Sequence, residues 1–200
     1  MTHPRKSRGY TAVELLMAIS IFAIGVSGII AMQKVTVVAN AHAKNLSIAT
    51  HIAQAWLDQL ATDAAAWNHP SPGNPTPDLG DTTWLTLANG NEGLWLRPAY
   101  SGTRNFGAGF DAQGNPVSDA NAASAVFCAH IRLSWLYPDT AGNGLMRTEV
   151  RVFWVRDGQG GTVNNQPVCS VGTPVDQIED APLRYHFVHQ ASAVKQNTSS

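Results

Sequence analysis

The sequence predicts an α+β fold in which one long N-terminal helix packs on an antiparallel β-sheet head. Three observations predict it. An uncharged, apolar run covers residues 15–32. Apolar residues then recur at helical spacings of three and four, and no proline interrupts residues 10–69. Near the C-terminus, two segments alternate apolar and polar residues around a glycine-rich turn. We expect the first half of the helix to be transmembrane and the second half to be amphipathic.

The charge of the chain is unevenly distributed. The 200 residues include 13 Lys and Arg and 14 Asp and Glu, a net charge of −1. No charged residue lies between Glu14 and Lys34. A helix over residues 15–32 would be about 27 Å long, close to the ~30 Å hydrocarbon core of a bilayer. The near-zero net charge excludes a chain-wide basic surface, so we expect no nucleic-acid partner.

The residues before the apolar run set its orientation. The positive-inside tendency keeps the basic leader cytoplasmic and exports the rest of the chain; its three cations are Arg5, Lys6 and Arg8. A secretory signal would be cut after the apolar run, but the small-residue pattern at residues 39–41 lies within a continuing helical pattern. Glu14 lies at the N-terminal edge of the run, where a carboxylate is costly. It is either an interfacial side chain that reaches headgroup water or a functional residue.

The residues around Glu14 carry a resemblance. They read Gly9-Tyr10-Thr11-Ala12-Val13-Glu14-Leu15-Leu16-Met17-Ala18. This string resembles the class III signal of type IV pilins and of the pseudopilins of type II secretion, whose pattern is Gly, Phe, Thr, Leu, Ile, Glu and an apolar run. Tyr10 stands in place of Phe, and Ala12-Val13 in place of Leu-Ile. The match is specific because the Gly, the Glu five residues later, the basic leader and the unbroken span occur together.

The resemblance implies a processing pathway. A membrane prepilin peptidase would cut between Gly9 and Tyr10, and the new amine of Tyr10 would be methylated. The cut removes three cations, so the net charge changes from −1 to −4. Glu14 would pair with the N-terminal amine of a neighbouring subunit. Leaving either charge buried alone would be costly, so extraction from the membrane and assembly become one event.

The patterns and the resemblance divide the chain into five parts: a cleaved basic leader (1–9), a transmembrane helical segment (10–33), an amphipathic continuation of the helix (34–67), a globular β-rich head (68–190) and a polar tail (191–200). The apolar face of the continuation holds Leu46, Ala49, Ile52, Ala53, Trp56, Leu57 and Leu60. Four prolines between residues 68 and 81 end the helix. We expect short strands or a turn over 82–100 and a long surface loop over 102–123.

Within the head, strands are expected over residues 125–137 and 148–154, joined as a hairpin, and over 183–188. Cys128 lies on the first strand and Cys169 after the hairpin. In an exported domain a disulfide is expected, worth about 4 kcal/mol in the chain-entropy model. The alternative is two buried free thiols. The resemblance agrees with the disulfide, since many pilins link their C-terminal region in this way.

The strand residues 130–135 and 151–154, together with the start of the span, most resemble the PilV-type minor pilins, which share a fold with the I-type minor pseudopilins. The resemblance implies a structural subunit of a type IV pilus tip or priming complex that promotes assembly for motility and adhesion. The implied partners are the prepilin peptidase, other minor pilins, the major pilin and the inner-membrane assembly platform. The chain would cross the bacterial inner membrane once, with a periplasmic head, and become extracellular in the pilus. The alternatives are a minor pseudopilin of a type II secretion pseudopilus and a membrane-anchored enzyme or ligand-binding domain.

No arrangement of residues predicts catalysis, a metal site or a cofactor, so we expect a protein that is not an enzyme. His186 and His189 would point to opposite faces of a strand. His130 is expected to be solvated. Residues 111–115 lack the acidic spacing of a calcium loop, and Gly107-Ala108-Gly109 has no third glycine for a dinucleotide.

Two surface features leave alternatives open. The acidic turn of Asp176, Glu179 and Asp180 is more typical of a solvated loop than of a calcium site. An exposed patch of aromatic residues would suggest adhesion, whereas core packing is the usual role of such residues; they are Trp84, Trp95 and Phe106.

Overall fold

A computed structural model describes residues 9–67, 79–137, 144–156, 162–163, 166–167, 169–170, 175, 177–180 and 182–197. Four predicted features therefore lie wholly or mainly outside the described residues: the leader residues 1–8, the proline-rich segment 68–78, the hairpin turn 138–143, and Asp176 of the acidic turn. The chain divides into two compact units, Met1–Lys44 and Asn45–Ser200.

The first element is a long helix, α1, which spans Ala12–Asp63 and is followed by a 3₁₀ turn at Ala64–Ala66. Within the first unit its side chains are almost all exposed, although most of them are apolar. An 18-residue window of this helix has a mean hydropathy of 2.4. Among the described residues it is the one helix long and apolar enough to cross a membrane.

In the second unit, α1 buries one face against the sheet. The buried positions are separated by one, three or four residues, as expected for a helical stripe; they are Ala49, Ile52, Ala53, Trp56, Leu60 and Asp63. This confirms most of the predicted apolar face. Leu46 is exposed and Leu57 is half-buried, so they lie at the edges of the stripe.

The second unit contains a six-stranded antiparallel sheet and a separate two-stranded ribbon. The sheet strands are β1 (Trp95–Leu96), β2 (Gly109–Phe110), β3 (Pro116–Val117), β4 (Phe127–Tyr137), β5 (Leu145–Val155) and β8 (Tyr185–Lys195). Their order is β3-β2-β4-β5-β8, and β1 also pairs with β4. The ribbon joins β6 (Thr162–Val163) to β7 (Gln166–Pro167), and a short helix, α2, covers Gln177–Asp180. The α+β class is therefore confirmed.

The predicted hairpin is confirmed by the antiparallel register of β4 and β5, which runs from Cys128 opposite Phe153 to Tyr137 opposite Leu145. The third strand is longer than predicted. It begins at Tyr185 and continues to Lys195, in register with all eleven residues of β5. The prediction of a polar tail is thus wrong for residues 191–195. The pairing depends on backbone groups, which small residues also supply, and Val194 is buried in the core.

The glycine-rich segment 102–123 is also more ordered than predicted. It contains β2, β3 and the start of a 3₁₀ segment at Asp119–Ser124. Phe110 is buried, and Gly109 pairs with Cys128 of β4. Gly114 makes the turn between β2 and β3 with a φ of +86°, a left-handed conformation that favours glycine. The expectation for 82–100 is confirmed, since a 3₁₀ turn at Leu85–Ala88 and β1 occupy that stretch.

Aromatic rings fill the space between α1 and the sheet. Trp56 of the helix contacts Trp84 and Phe106 edge-on, with ring centroids 5.1 and 4.9 Å apart. Phe106 in turn contacts Phe110 at 5.3 Å. Trp84 and Phe106 therefore belong to the core, which contradicts an exposed aromatic patch and confirms the alternative of core packing. Trp95 lies apart from them and is half-buried.

The end of α1 is fixed by a buried carboxylate. One oxygen of Asp63 accepts the N–H of Thr83 at 2.8 Å, and the other accepts the N–H groups of Trp84 (2.8 Å) and Leu85 (3.0 Å). Arg104 Nη2 completes the set at 3.0 Å. Asp63 is fully buried. It therefore satisfies the N–H groups at the start of the 3₁₀ turn at Leu85–Ala88, which would otherwise lack partners.

Candidate functional site

The predicted processing site lies in front of α1. Gly9, Tyr10 and Thr11 are not helical, and the helix begins at Ala12. Tyr10 is 86% exposed, and among the described residues nothing beyond the chain neighbours lies within 4 Å of the position that a Cβ on Gly9 would take. The peptide bond between Gly9 and Tyr10 therefore lies outside the helix and between two exposed residues.

Thr11 caps the helix. Its hydroxyl accepts the backbone N–H of Glu14 at 3.3 Å, and its carbonyl accepts the N–H of Leu15 at 3.2 Å. Thr11 is thus the N-cap residue and Glu14 the third residue of the helix, which is the spacing of a capping box. A carboxylate in the first turn also interacts favourably with the helix dipole. The pattern Thr-x-x-Glu signals this cap in the sequence, although the cap was not among the predicted features.

Polar side chains within the apolar part of α1 are satisfied locally. The Ser20 hydroxyl donates to the Leu16 carbonyl, and the Ser27 hydroxyl donates to the Ile24 carbonyl, each at 2.8 Å. Hydroxyls that bond to the preceding turn carry no unmet hydrogen bond into lipid. The span between Glu14 and Lys34 is therefore compatible with a bilayer core.

The predicted disulfide is present in the second unit. Cys128 of β4 and Cys169 are joined, with their Cα atoms 5.3 Å apart, and both are buried. Arg97 Nε donates to the Cys169 carbonyl at 3.0 Å, and the same guanidinium pairs with Asp119. Burial opposes ionisation of Asp119, but its bonds to Arg97 and to the Tyr100 N–H lower the pKa of the carboxyl. The disulfide, Arg97 and Asp119 thus hold three loops beside the sheet.

The face of the sheet that points away from α1 carries a charge cluster centred on Glu149 of β5. Arg132 holds this carboxylate with two hydrogen bonds of 2.8 and 2.9 Å. Arg147 lies 3.0 Å and His189 3.3 Å from Glu149 Oε1. The hydrogen bonds from Arg132 lower the pKa of Glu149 and raise that of Arg132. Glu149 is buried, so these partners keep its charge compensated.

The prediction of a solvated His130 is wrong. This residue of β4 is 4% exposed, because Phe153 packs against its ring at 4.8 Å and Arg151 lies beside it. Arg151 Nε and Nη2 are 3.4 and 3.3 Å from His130 Nδ1. Burial, together with the charges of Arg151 and Arg97, lowers the pKa of His130 to about 3. His130 is therefore neutral at physiological pH.

The other sequence candidates are separate from one another. His186 stacks on Trp154 at 5.4 Å, whereas His189 reaches Glu149, so the two histidines do not meet. The Asp111 carboxylate accepts the N–H groups of Gln113 and Asn115 at 2.9 Å, and its oxygens are thus used inside the turn. In the described part of the chain, no group of three or more His, Cys, Asp and Glu side chains is placed to hold a metal ion.

The structure therefore brings Gly9, Tyr10 and Glu14 together in one segment at the start of α1, and it places the disulfide and the charge cluster on the sheet. The basic leader residues 1–8 lie outside the described residues. Comparison with protein-family models, with curated proteins and with solved structures finds no match for this chain.

Proposed function

We propose that this chain is a minor pilin, a structural subunit of a type IV pilus tip or priming complex that promotes pilus assembly. The observation that carries the proposal is the capped segment from Gly9 to Glu14 in front of a helix long and apolar enough to span a membrane. The antiparallel sheet, the helix face packed on it and the disulfide are compatible with a type IV pilin fold.

In this proposal, the prepilin peptidase cuts before Tyr10 on the cytoplasmic side of the inner membrane, and the new amine is methylated. The chain then remains anchored by α1 with its head in the periplasm until it is assembled. Glu14 pairs with the amine of a neighbouring subunit. Other minor pilins, the major pilin and the inner-membrane assembly platform are the partners. The role is structural, and no cofactor is needed.

Cleavage is tested by replacing Gly9 with a bulky residue. A Gly9→Phe chain should keep its leader, and mass spectrometry should find the uncut N-terminus. The matched control is Gly25→Phe, because no atom lies within 4 Å of an added Cβ at either glycine, and this chain should be cut normally. A Gly9→Phe chain that begins with a methylated Tyr10 would disprove the cleavage assignment.

Two variants separate the pairing role of Glu14 from the hydroxyl cap that Thr11 provides. Glu14→Gln keeps a side chain that a capping box accepts but removes the charge. It should be cut normally and lose incorporation into filaments. Thr11→Ala loses the hydroxyl cap but keeps the charge, and it should still be incorporated. Normal incorporation of Glu14→Gln would contradict the pairing, whereas recovery of the chain only with type II secretion components would favour a pseudopilus.

A further inference from the structure

A cleft of about 560 Å³ lies on the same outer face of the sheet, beside the charge cluster. One wall is the loop and strand from Gly93 to Trp95, and the other is the segment of Val175 and Glu179 at α2. Arg132 and Arg151 line the space between them. The volume falls within the roughly 300–1,000 Å³ that is usual for small-molecule sites. The minor-pilin proposal gives this cleft no role.

Two guanidinium groups in the cleft are held against one indole. The Cζ atom of Arg132 lies 4.7 Å from the Trp95 ring centroid, and that of Arg151 lies 4.4 Å from it. Both arginines are anchored from behind, Arg132 by Glu149 and Arg151 by His130. The cleft is therefore pre-organised, because neither long side chain must be ordered when a ligand binds.

The charge of the cleft favours an anion. The charged side chains among the described residues that line it are those of Arg132, Arg151 and Glu179. His130 adds no charge at neutral pH. The sum is one positive charge. Arg132 uses Nε and Nη2 for Glu149, and no described residue is shown bonded to its Nη1.

A carboxylate is already bound in this cleft by the protein itself. Glu179 Oε1 accepts Arg151 Nη1 at 2.9 Å, although 60% of the Glu179 side chain is exposed. The planar fork of a guanidinium matches a carboxylate better than a point charge would. Arg132 lies close enough to Glu179 for that carboxylate to help raise the pKa of its guanidinium.

The other side chains that line the cleft indicate the chemistry of the rest of the ligand. Trp95 and the exposed Leu94 offer apolar surface, which suits the C–H face of a sugar ring. The Glu179 carboxylate is an acceptor for hydroxyl groups. A bare phosphate would leave the apolar surface unused, and a fatty acid would offer no hydroxyl group to Glu179.

We propose that the cleft binds an acidic monosaccharide unit of the uronic acid class. The carboxylate of the sugar contacts Arg132, its hydroxyls contact Glu179, and its C–H groups pack against the apolar lining that Leu94 and Trp95 provide. This site does not depend on the assembly function and would exist on the surface of the head in any assembly that leaves α2 accessible.

The test measures binding of uronates to the full chain in lipid nanodiscs by titration calorimetry and ligand-observed NMR. The probes are glucuronate and galacturonate, each paired with its methyl ester and its neutral parent sugar. A dissociation constant of ~1 mM or tighter is expected for one of the acids. The corresponding ester and parent sugar should bind at least about ten-fold more weakly, the loss expected for one charge-assisted hydrogen bond. Equal binding of acid and ester, or no binding of either acid, would overturn the proposal.

Three variants test whether the uronate binds in the cleft. Arg132→Gln should weaken uronate binding by about ten-fold or more. Its control is Arg147→Gln, which removes another partner of Glu149 but does not line the cleft, and which should bind normally. Glu179→Gln keeps the acceptor oxygen and removes the repulsion of an incoming carboxylate, so its binding should tighten several-fold.

Glu179→Gln changes an exposed side chain and should not disturb folding. It therefore tests the proposal even if Arg132→Gln does not fold. Unchanged uronate binding by Glu179→Gln would place the ligand elsewhere, whereas weaker binding would contradict the predicted repulsion between Glu179 and the carboxylate of the ligand. Acetate and phosphate serve as the last probes. If either binds as tightly as the uronates, the cleft takes an adventitious anion only and the saccharide assignment is wrong.

Discussion

The buried His130 predicts a specific pH dependence of head stability. The pKa of this histidine is about 3 in the folded chain, against about 6.5 in an unfolded chain. Below pH 6.5 the unfolded chain binds a proton that the folded chain does not bind. The contribution of neutral His130 is therefore fully present above pH 6.5 and is lost as the pH falls towards 3. Between pH 7.5 and 5.0 the expected loss is about 2 kcal/mol.

The measurement is urea unfolding of the full chain in non-ionic micelles, followed by tryptophan fluorescence at pH 7.5 and 5.0. His130→Asn is the matched variant, because the asparagine oxygen can accept from Arg151 where His130 Nδ1 does so now. This variant should lose about 2 kcal/mol less than the unaltered chain over the same range. Carboxyl groups titrate mainly below pH 5 and are common to both chains. An equal loss in the two chains would refute the reasoning.

Three further changes test the packing of the head by the same unfolding assay. Asp63→Asn should destabilise the head by about 2–4 kcal/mol, because the buried carboxylate accepts three backbone N–H groups and a guanidinium. Its control is Asp58→Asn on the exposed side of α1, which should change the stability by less than about 0.5 kcal/mol. Replacing Cys128 and Cys169 together by alanine should cost about 4 kcal/mol, as the bond closes a sequence separation of 41 residues. Gly114→Ala should cost about 1–2 kcal/mol, because the residue has a φ of +86° and an added Cβ would lie 3.1 Å from a helix side chain. A smaller effect of Asp63→Asn than of Asp58→Asn, or an unchanged midpoint in the other two, would contradict these assignments.

Periodic patterns made the main elements predictable. The helix face around Ile52 and Trp56 and the alternation in β4 and β5 repeat with the period of their elements, and each repeat adds to the same signal. The disulfide followed from the expected export of a chain with two cysteines. These features depend on residues that are near one another in sequence or on the compartment, so the sequence alone was sufficient.

The features that the sequence did not predict depend on contacts with distant segments of the chain. His130 alternates as a polar position should, and nothing in β4 itself shows that Phe153 and Arg151 cover it. Asp63 similarly ends a helix as an ordinary acidic residue, and its burial depends on N–H groups twenty residues later. Residues 191–195 lack large apolar side chains, yet the length of β5 makes them a strand. Tertiary contacts decided each case over local propensity.

The position of Glu14 in the first turn of α1 gives a physical reason for the position of the proposed cut. Cleavage before Tyr10 would create an amine two residues ahead of the first helical residue, Ala12. A cation there has the same sign as the positive end of the helix dipole, and it would lie beside an apolar span in which an unpaired charge is costly. Glu14 is the only Asp or Glu in the first 57 residues. The Glu14 carboxylate thus interacts with two positive groups, the N-terminal end of its own helix dipole and the proposed amine of a neighbour. Because a glutamine keeps the capping-box pattern but has no charge, the Glu14→Gln chain reports on these charge interactions and not on the hydroxyl cap.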